Sequence, residues 1–278
     1  MFSGPRFAKA ADAHLALLEA ALALEPVESR GMRHREILGA SLVIEDPRSV
    51  VYHLPERRHR HVIGVLEGLQ LLGQVSLPEV MTSRVKAFGR YLDLGVFHGA
   101  YGARIAGQLD DLVRLLERDP GTRQAVLTIY DAHRDLDAVK RDVPCTLALQ
   151  FLARGGELHL RIVMRSNDLW LGFPYDVMQF AMLQAAIASH LGLELGALIH
   201  QVGSLHLYEK DVDAAFEVIE SSGDPVTLHF SHLWRPGWSV EDSSRWARLA
   251  LMGEEPAPAS GFEAFVLEPS GKMQFSSW

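Results

Sequence analysis

The chain contains a single cysteine, Cys145, which is the obvious candidate for covalent chemistry. A lone cysteine cannot form an internal disulfide, so its presence predicts a reducing compartment and a thiol that is available for reaction. The residue before it, Pro144, fixes the backbone, and the alternating residues after it predict a strand that begins beside the thiol. A buried structural cysteine is the ordinary alternative. The local sequence therefore favours a nucleophilic thiol but does not require one.

A dense polar segment lies on the other arm of the predicted hairpin. It extends from Arg165 to Asp176 and includes Ser166, Asn167 and Asp168. A strand end that leads into a helix N-terminus binds anions well, because unpaired backbone N–H groups point out of the helix. An arginine close to a thiol also favours the thiolate. Taken alone, these residue types predict a nucleophilic cysteine near an anion site.

The elements that must position these residues follow from hydrophobic periodicity. Helices are predicted over residues 5–24, 58–73, 101–118 and 174–191. Strands are predicted over residues 36–45, 124–130, 145–153, 157–165 and 197–208. The two strands around residues 154–156 form a hairpin, and the last helix is apolar nearly all round and closed by Gly192. Strands and helices are mixed without regular alternation, so we expect an α+β fold: one domain over residues 1–278, with a large mixed, twisted sheet and flanking helices.

Composition excludes several functional classes. The formal net charge of −8 opposes broad, sequence-independent binding to nucleic acid. No apolar segment approaches the length of a membrane span, and the N-terminus lacks a signal-peptide pattern. His53, His59 and His61 lie among arginines that would repel a cation, so this segment is interpreted as a solvated basic helix start. We expect a cytoplasmic protein without a metal and without a nucleic-acid or membrane partner.

Several motifs together resemble the thymidylate synthase family in order and spacing. They are Pro144-Cys145, the segment from Arg165 to Tyr175, and His206-Leu207-Tyr208. The similarity extends from about residue 30 to residue 208 and is densest from 119 onward. It implies an α+β fold, a homodimer with shared active sites, a pyrimidine nucleoside monophosphate as substrate and 5,10-methylenetetrahydrofolate as co-substrate.

The resemblance also implies a role for each matching residue. Cys145 would attack C6 of the pyrimidine, and Glu67 would relay protons and activate water. His206 and Tyr208 would hold the sugar hydroxyl, and Asp168 would contact the pterin of the folate. The nucleotide phosphate would be bound by Arg30, Arg123, Arg165 and Ser166.

Two of these roles need comment, because the chain departs from the family pattern around them. Arg123 would reach the phosphate in the partner subunit, but Gln124 replaces the second arginine that the family usually has there. Glu67 lies in a segment that aligns without gaps, although Gln70 replaces a tryptophan and Gln74 a glycine. A solvated helix glutamate is the alternative for Glu67. Its apolar neighbours favour a paired or working carboxylate, because an unpaired buried charge is costly.

The most informative departure is Asp176, which replaces the asparagine of family members that act on uracil. An amide donates to O4 and accepts from N3–H of uracil. A carboxylate instead accepts from the amino group of cytosine, and when protonated it can donate to N3. The dCMP and CMP hydroxymethylases are similar at this position. Thr146 and Ser204 are further departures, which replace a histidine and an aspartate. The alternative for Asp176 is a helix N-cap.

We therefore predict a one-carbon transferase that hydroxymethylates C5 of dCMP or CMP, with water completing the hydroxymethyl group. Methylation of dUMP is one alternative, and a family member that binds a nucleotide without turnover is another. An unrelated cysteine hydrolase would need a histidine paired with Cys145, and no local motif supplies one.

Overall fold

The computed structural model shows a mixed sheet with helices packed against it. In chain order the strands are β1 (Arg6–Phe7), β2 (Val27–Ser29), β3 (Met32–Ile44), β4 (Val51–His53), β5 (Val126–Thr128), β6 (Thr146–Arg154), β7 (Glu157–Asp168), β8 (Glu194–Tyr208) and β9 (Val226–Leu228). The helices are α1 (Ala10–Leu22), α2 (Val62–Gly73), α3 (Pro78–Arg84), α4 (Tyr101–Ile105), α5 (Gln108–Arg118), α6 (Ala132–Asp135), α7 (Phe173–Leu191), α8 (Val212–Glu220) and α9 (Val240–Met252). The structure describes residues 3–54, 56–57, 60–136, 142–221, 225–228 and 237–254.

The main sheet has seven strands in the order β1-β3-β8-β7-β6-β5, with β2 paired to β3. β6 and β7 form the predicted hairpin, β3 is antiparallel to β8, and β7 is parallel to β8. A parallel pair needs a crossover connection, and α7 provides it. The register places Asp168 opposite His206 and Ser166 opposite Ser204, so two predicted site segments share one end of the sheet. The mixed sheet and flanking helices confirm the α+β prediction.

Helix α7 is the centre of the fold, because it packs between the sheet and α2. Its residues 173–189 are all buried, as its apolar sequence predicted, and Gly192 closes it in the left-handed conformation. Gly64 and Gly68 of α2 allow a very close approach. A Cβ atom on these glycines would lie 2.7 Å and 2.4 Å from the sulfur atoms of Met178 and Met182. This contact brings α2, and with it Glu67, against the start of α7.

Three predicted helix boundaries differ from the structure. The segment predicted as a helix from residue 5 begins with β1, which pairs with Val43 and Ile44 of β3, and α1 starts only at Ala10. The predicted helix 101–118 is two helices separated by Ala106 and Gly107. The predicted helix 58–73 begins at Val62, and its first two positions lie outside the described residues. Pairing with β3 overrides helical spacing in the first case, because periodicity cannot detect a distant partner strand.

The basic segment before α2 is less solvated than predicted. Arg57 is only 3% exposed and lies over the rings of Trp170 and Tyr175, at 4.9 Å and 5.8 Å from the ring centroids. It also donates a hydrogen bond to the backbone oxygen of Trp170. The solvated interpretation was therefore wrong for Arg57, while His59 lies outside the described residues. Among the described helices, none is long and apolar enough to span a bilayer.

Candidate active site

Cys145 lies directly before β6, and its backbone oxygen accepts a hydrogen bond from the backbone N–H of Arg165 at 2.8 Å. The Arg165 side chain returns across the same strand pair. Its Nε donates to the oxygen of Pro144 at 2.9 Å, and its Nη2 donates to the oxygen of Val143 at 3.0 Å. Nη2 also lies 3.7 Å from the Cys145 sulfur. Arg165 therefore holds the loop that carries the thiol and places a positive charge beside it.

The environment of the thiol favours its protonated form. Burial raises the pKa of Cys145, and the Arg165 charge lowers it only in part. The carboxylates of Asp176, Asp142 and Asp168 raise it further. Arg165 favours the thiolate, as its sequence position predicted, but burial outweighs this effect. The cysteine rests as a thiol and must lose its proton when a substrate binds.

Asp176 is in the first turn of α7, but it does not cap the helix. Gly172 is the N-cap residue, and the Asp176 carboxylate faces inward with 9% exposure. Its Oδ2 accepts from the side-chain amide of Asn167 at 2.7 Å, and its Oδ1 accepts from the amide of Gln179 at 2.9 Å. The N-cap alternative was therefore wrong. Burial raises the pKa of Asp176 to about 7 against the effect of these two amides, so the proton is exchangeable near neutral pH.

Glu67 points from α2 into the same region, and its side chain is partly exposed there. Burial and the nearby charges of Asp176 and Asp142 raise the pKa of Glu67 to about 8. The carboxyl group is therefore close to both aspartates, and it holds a proton at neutral pH.

The two glutamines that break the family pattern have structural roles. Gln70 accepts a hydrogen bond from the backbone N–H of Leu77 at 2.7 Å, and Gln74 has a left-handed backbone with φ 55°. A left-handed backbone explains why a glycine is expected at that position.

Tyr101 lies near the side chains of Cys145, Glu67 and Asp176. Its ring stacks on Phe180 with centroids 5.9 Å apart and an interplanar angle of 10°. Burial raises its pKa well above the ordinary value, and the charges of Asp176, Cys145 and Glu67 raise it further. Since charges act at short range in a protein, Tyr101 lies among all three. Tyr101 is therefore part of the pocket wall.

The predicted sugar-binding residues lie together at the end of β8. The rings of His206 and Tyr208 are 4.9 Å apart, and His34 of β3 packs against both at 5.8 Å and 6.2 Å. Burial raises the pKa of Tyr208, Asp168 and Cys145 add to this effect, and Arg30 opposes it. Arg30, in the turn between β2 and β3, is therefore near Tyr208. The same end of the sheet thus carries the predicted sugar, folate and phosphate residues.

Asp168 ends β7 and shapes the turn that follows. Its Oδ1 accepts from the backbone N–H groups of Trp170 and Leu171, at 2.7 Å and 3.0 Å. Ser166 lies two residues before it on the same strand and is partly exposed. Ser204, which replaces a family aspartate, donates its hydroxyl to the carboxylate of Glu36 on β3. A carboxylate is therefore present beside this position although the sequence shows a serine.

Arg123 is the one predicted site residue that the single chain does not bring to the others. It lines an open depression of about 550 Å³ with Arg154 and Leu193, at the hairpin turn. Arg154 ends the nine-residue strand β6, and Cys145 precedes its start. At about 3.3 Å per residue, the two ends are roughly 30 Å apart. Within one chain, Arg123 therefore does not contact the Cys145 region.

Sequence reasoning missed the roles of Asn167, Gln179, Asp142 and His34. A signal existed for Gln179, because it lies three residues after Asp176 in a helix predicted to be buried, where i and i+3 side chains meet. No local pattern distinguishes Asp142, whose carboxylate accepts from the backbone N–H of Gly99 at 2.8 Å. Contacts of this kind join distant segments and do not follow from spacing. Among the described residues, no cluster of histidine, cysteine and acidic side chains could hold a metal ion.

Comparison with known proteins adds a family to this geometry. A family model described as thymidylate synthase matches residues 77–235, more than half of the chain. The chain is 31% identical over 234 residues to a deoxyuridylate hydroxymethyltransferase of Bacillus phage SP01, covering 74% of this chain and 61% of that protein. It is 28% identical over 221 residues to a deoxyuridylate hydroxymethyltransferase of Pseudomonas phage M6, covering 74% and 63%. A thymidylate synthase of Bacillus subtilis subsp. natto is 37% identical over 106 residues, covering 38% and 37%. The chain thus spans less than two thirds of the length of these relatives.

Proposed function

Because the chain belongs to the thymidylate synthase family, we propose that it is a one-carbon transferase that converts dCMP or CMP into the 5-hydroxymethyl nucleotide. The single observation that carries the choice of cytosine is the environment of Asp176. Both of its oxygens accept hydrogen bonds from amides, which favours the acceptor that binds the 4-amino group of cytosine over the donor that uracil O4 requires. Methylenetetrahydrofolate supplies the carbon at the oxidation level of formaldehyde.

Cytosine suits a carboxyl group with a pKa of about 7. When a nucleophile adds to C6, the electron pair of the ring moves towards N3, and a proton delivered to N3 stabilises the adduct. Protonated Asp176 can donate that proton while its other oxygen accepts from the 4-amino group. A general acid works best when its pKa is close to the operating pH. Asp176 therefore both recognises the base and activates it.

Cys145 is the nucleophile in this proposal. Its sulfur bonds to C6 after the thiol loses its proton, which the Arg165 charge at 3.7 Å favours. Because burial holds the resting thiol protonated, the loss of the proton is coupled to the arrival of the nucleotide. The thiolate leaves again once the new substituent is in place. The catalytic role of Cys145 is thus transient covalent attachment.

Glu67 is the proposed proton relay and water activator. Its pKa of about 8 lets it hold a proton and release it during turnover. It is close to Asp176 and Asp142, so a water molecule in this region would face several acceptor oxygens. C5 loses its proton and tetrahydrofolate leaves the transferred carbon, and attack by such a water on that carbon then completes the hydroxymethyl group. A hydride transfer to the same carbon would give a methyl group instead.

The rest of the nucleotide and the folate are assigned to the surrounding side chains. His206 and Tyr208 hold the sugar hydroxyl, and the second oxygen of Asp168, which the turn at residues 170–171 does not use, contacts the pterin. The remaining anion contacts are assigned to Arg30, Arg165, Ser166 and, from a second subunit, Arg123.

The position of Arg123 and the outer face of the sheet support a homodimer. Alternation places Val43, Ala197 and Ile199 on the sheet face opposite to the α7 core, where they form a separate buried cluster. Arg161 crosses this face and donates to Gln201 at 2.7 Å. We propose that two such faces pack back to back and bring Arg123 to the phosphate of the partner.

The variant Arg123→Ala tests the shared site. It should weaken nucleotide binding about 10-fold without unfolding the dimer, because one charge-assisted phosphate contact is lost. Arg118→Ala, which removes an exposed arginine at the end of α5, is the matched control and should bind normally. Equal affinity of both variants, or a monomer in sedimentation, would contradict the shared site.

Hydroxymethylation of dUMP is the second candidate, and the names of the two phage relatives favour it. Incubation with methylenetetrahydrofolate and, separately, dCMP, CMP and dUMP distinguishes the candidates by product mass. A gain of CH2O on a cytosine nucleotide supports the proposal, and comparison of dCMP with CMP identifies the sugar. A gain of CH2O on dUMP alone supports the second candidate, and a gain of CH2 on dUMP with dihydrofolate indicates a thymidylate synthase. Binding without any product would indicate a nucleotide-binding protein.

A further inference from the structure

Asp176 is held by an amide pair, which we define as the side chains of Asn167 and Gln179. Asn167 comes from β7 and reaches Oδ2 at 2.7 Å, whereas Gln179 comes from the next turn of α7 and reaches Oδ1 at 2.9 Å. Both members are almost fully buried, at 2% and 3% exposure. Two anchors from different elements fix both the position and the plane of the carboxyl group. Asn167 lies within the Arg165–Tyr175 motif but had no predicted role, and Gln179 lies outside the motifs.

The orientation of the amide pair follows from chemistry. An ionised carboxylate offers only acceptors, so each amide must present its N–H group to it. The cost is visible at Asn167, whose Oδ1 is buried and has no hydrogen-bond partner within the described residues. An unpaired buried acceptor is unfavourable. The fold accepts this unfavourable group, which points to a task for Asn167 at Asp176 rather than a task in packing.

The groups that face Asp176 from the other elements favour its protonated form, whereas the amide pair favours the ionised form. Glu67 of α2 and Asp168 of β7 are acidic, and Cys145 and Tyr101 add no positive charge. Like charges and burial both disfavour the ionised form. Among the contributions at Asp176, only the amide pair favours it. Without these amides, the pKa of the carboxyl group would be higher still.

We propose that Asn167 and Gln179 are positioning residues that aim the Asp176 carboxyl at the base and keep its proton exchangeable. This inference rests on the proposed function and adds to it the residues that tune the acid. When the sulfur–C6 bond forms, the proton of Asp176 moves to N3 and the amide pair stabilises the carboxylate left behind. When the sulfur–C6 bond breaks, the ring electron pair returns and N3 gives the proton back to Asp176. No other reactant enters this exchange.

Proton uptake on nucleotide binding measures the effect without relying on turnover. CMP or dCMP binding is followed by calorimetry in two buffers of different ionisation enthalpy, from pH 5.5 to about 9. Below the pKa of Asp176 its proton is already present, so Asp176 takes up none. Above this pKa, Asp176 takes up nearly one proton, which adds a step to the constant proton release from Cys145, with the transition close to pH 7 in the wild type. Asp176→Asn should abolish the transition and so identifies the group.

Asn167→Leu and Gln179→Leu should each move this transition upward by about one pH unit, because a charge-assisted donor is lost. Asn167→Ser keeps a hydroxyl donor, so its transition should lie close to that of the wild type. Gln184→Leu is the matched control on the same helix, since the Gln184 amide donates to the backbone oxygens of Leu158 and Gly196 rather than to Asp176. It should lower stability and leave the transition in place.

Two results would overturn the inference. One is an unchanged transition in Asn167→Leu and Gln179→Leu, and the other is a transition that survives in Asp176→Asn. Failure of the proposed function looks different. If the wild type binds only dUMP, cytosine is the wrong base, yet the same titration with dUMP still reports whether the amide pair tunes Asp176.

Discussion

Asp135 and Asp176 are both buried aspartates, but the groups around their carboxyl oxygens differ in charge. Asp135 is 4% exposed and receives two charge-assisted hydrogen bonds from Arg104, each 2.7 Å long. Asp176 is 9% exposed and has amides and other acids around it instead of a cation. A bidentate arginine pair fixes a charge, whereas neutral donors leave the proton free to move. The difference separates a carboxylate that holds the structure from one that is suited to chemistry.

The Arg104–Asp135 pair also organises the approach to the candidate site. Arg104 donates to the backbone oxygens of His98 and Ile129, and Asp135 accepts from the backbone N–H of Asp131. The next residue after His98, Gly99, donates to Asp142 ahead of Cys145. The ion pair therefore anchors the segments that bear on the thiol. It does so at a distance from the groups that would exchange protons.

Among the variants proposed here, removal of the nucleophile should have the largest effect, and this effect is on kcat. Cys145→Ala should lower kcat by at least about 10⁴-fold, because no other thiol can form the bond to C6. Nucleotide affinity should change little, since the binding groups remain. Quenched-flow product analysis and equilibrium binding on the same preparation separate the two effects. Residual turnover within 100-fold of the wild type would exclude Cys145 as the nucleophile.

Removal of the cation tests the structural carboxylate. Arg104→Met leaves Asp135 buried without its partner, and we expect a loss of about 3–5 kcal/mol in the free energy of unfolding. Urea denaturation at pH 7 measures this loss. Asp176→Asn is the matched comparison and should cost far less than Arg104→Met, because no ion pair is broken. A similar loss in the free energy of unfolding for both variants would contradict the difference described between the two aspartates.

Glu67→Gln tests the carboxyl that the family resemblance identified. It should lower kcat by roughly 10²-fold or more, the usual contribution of a positioned proton donor or acceptor. The stability should not fall. The raised pKa of Glu67 means that its protonated form is favoured on folding, so the wild type loses stability as pH rises towards about 8 and the neutral glutamine does not. A destabilised variant with normal kcat would assign Glu67 to structure.

The smallest expected effect concerns acid stability at His200. This side chain is fully buried, its ring nitrogens have no hydrogen-bond partner among the described residues, and burial lowers its pKa to about 4. Its contribution is therefore complete above its unfolded pKa of 6.5 and is lost as pH falls towards 4. His200→Leu should unfold at lower pH and be about 2 kcal/mol more resistant at pH 5. Identical acid-unfolding curves would contradict this assignment.

The sequence predicted the central parts of the fold because they follow from local patterns. The β6–β7 hairpin, the buried helix α7 and its closure at Gly192 depend on alternation, apolar character and a left-handed glycine. The strand at Arg6–Phe7 was missed because its pairing with β3 is a long-range contact. Local spacing predicts the elements, but the partners of an element come from tertiary structure.

In the candidate site, too, some features follow from local sequence patterns and others only from tertiary packing. The motifs gave the candidate residues, and the structure places Cys145, Glu67 and Asp176 close together. The resting state of the thiol could not be predicted from the motifs, because its pKa depends on burial and on carboxylates from three segments. The role of Asn167 was missed because it reaches Asp176 only when β7 and α7 meet, and that of Gln179 because its spacing from Asp176 was not considered. Residue types therefore suggest the reaction, and packing sets the proton affinities that it needs.

The discrimination between cytosine and uracil tests the central claim most directly. The quantity is the ratio of kcat/KM for dCMP or CMP to that for dUMP, measured with methylenetetrahydrofolate by product mass for the wild type and Asp176→Asn. We predict that the wild type favours the cytosine nucleotide by about 100-fold or more and that the variant reverses the preference, because the amide of asparagine matches the uracil edge. A wild type that prefers dUMP, with a ratio unchanged in Asp176→Asn, would contradict the assignment of Asp176 as the reader of the base.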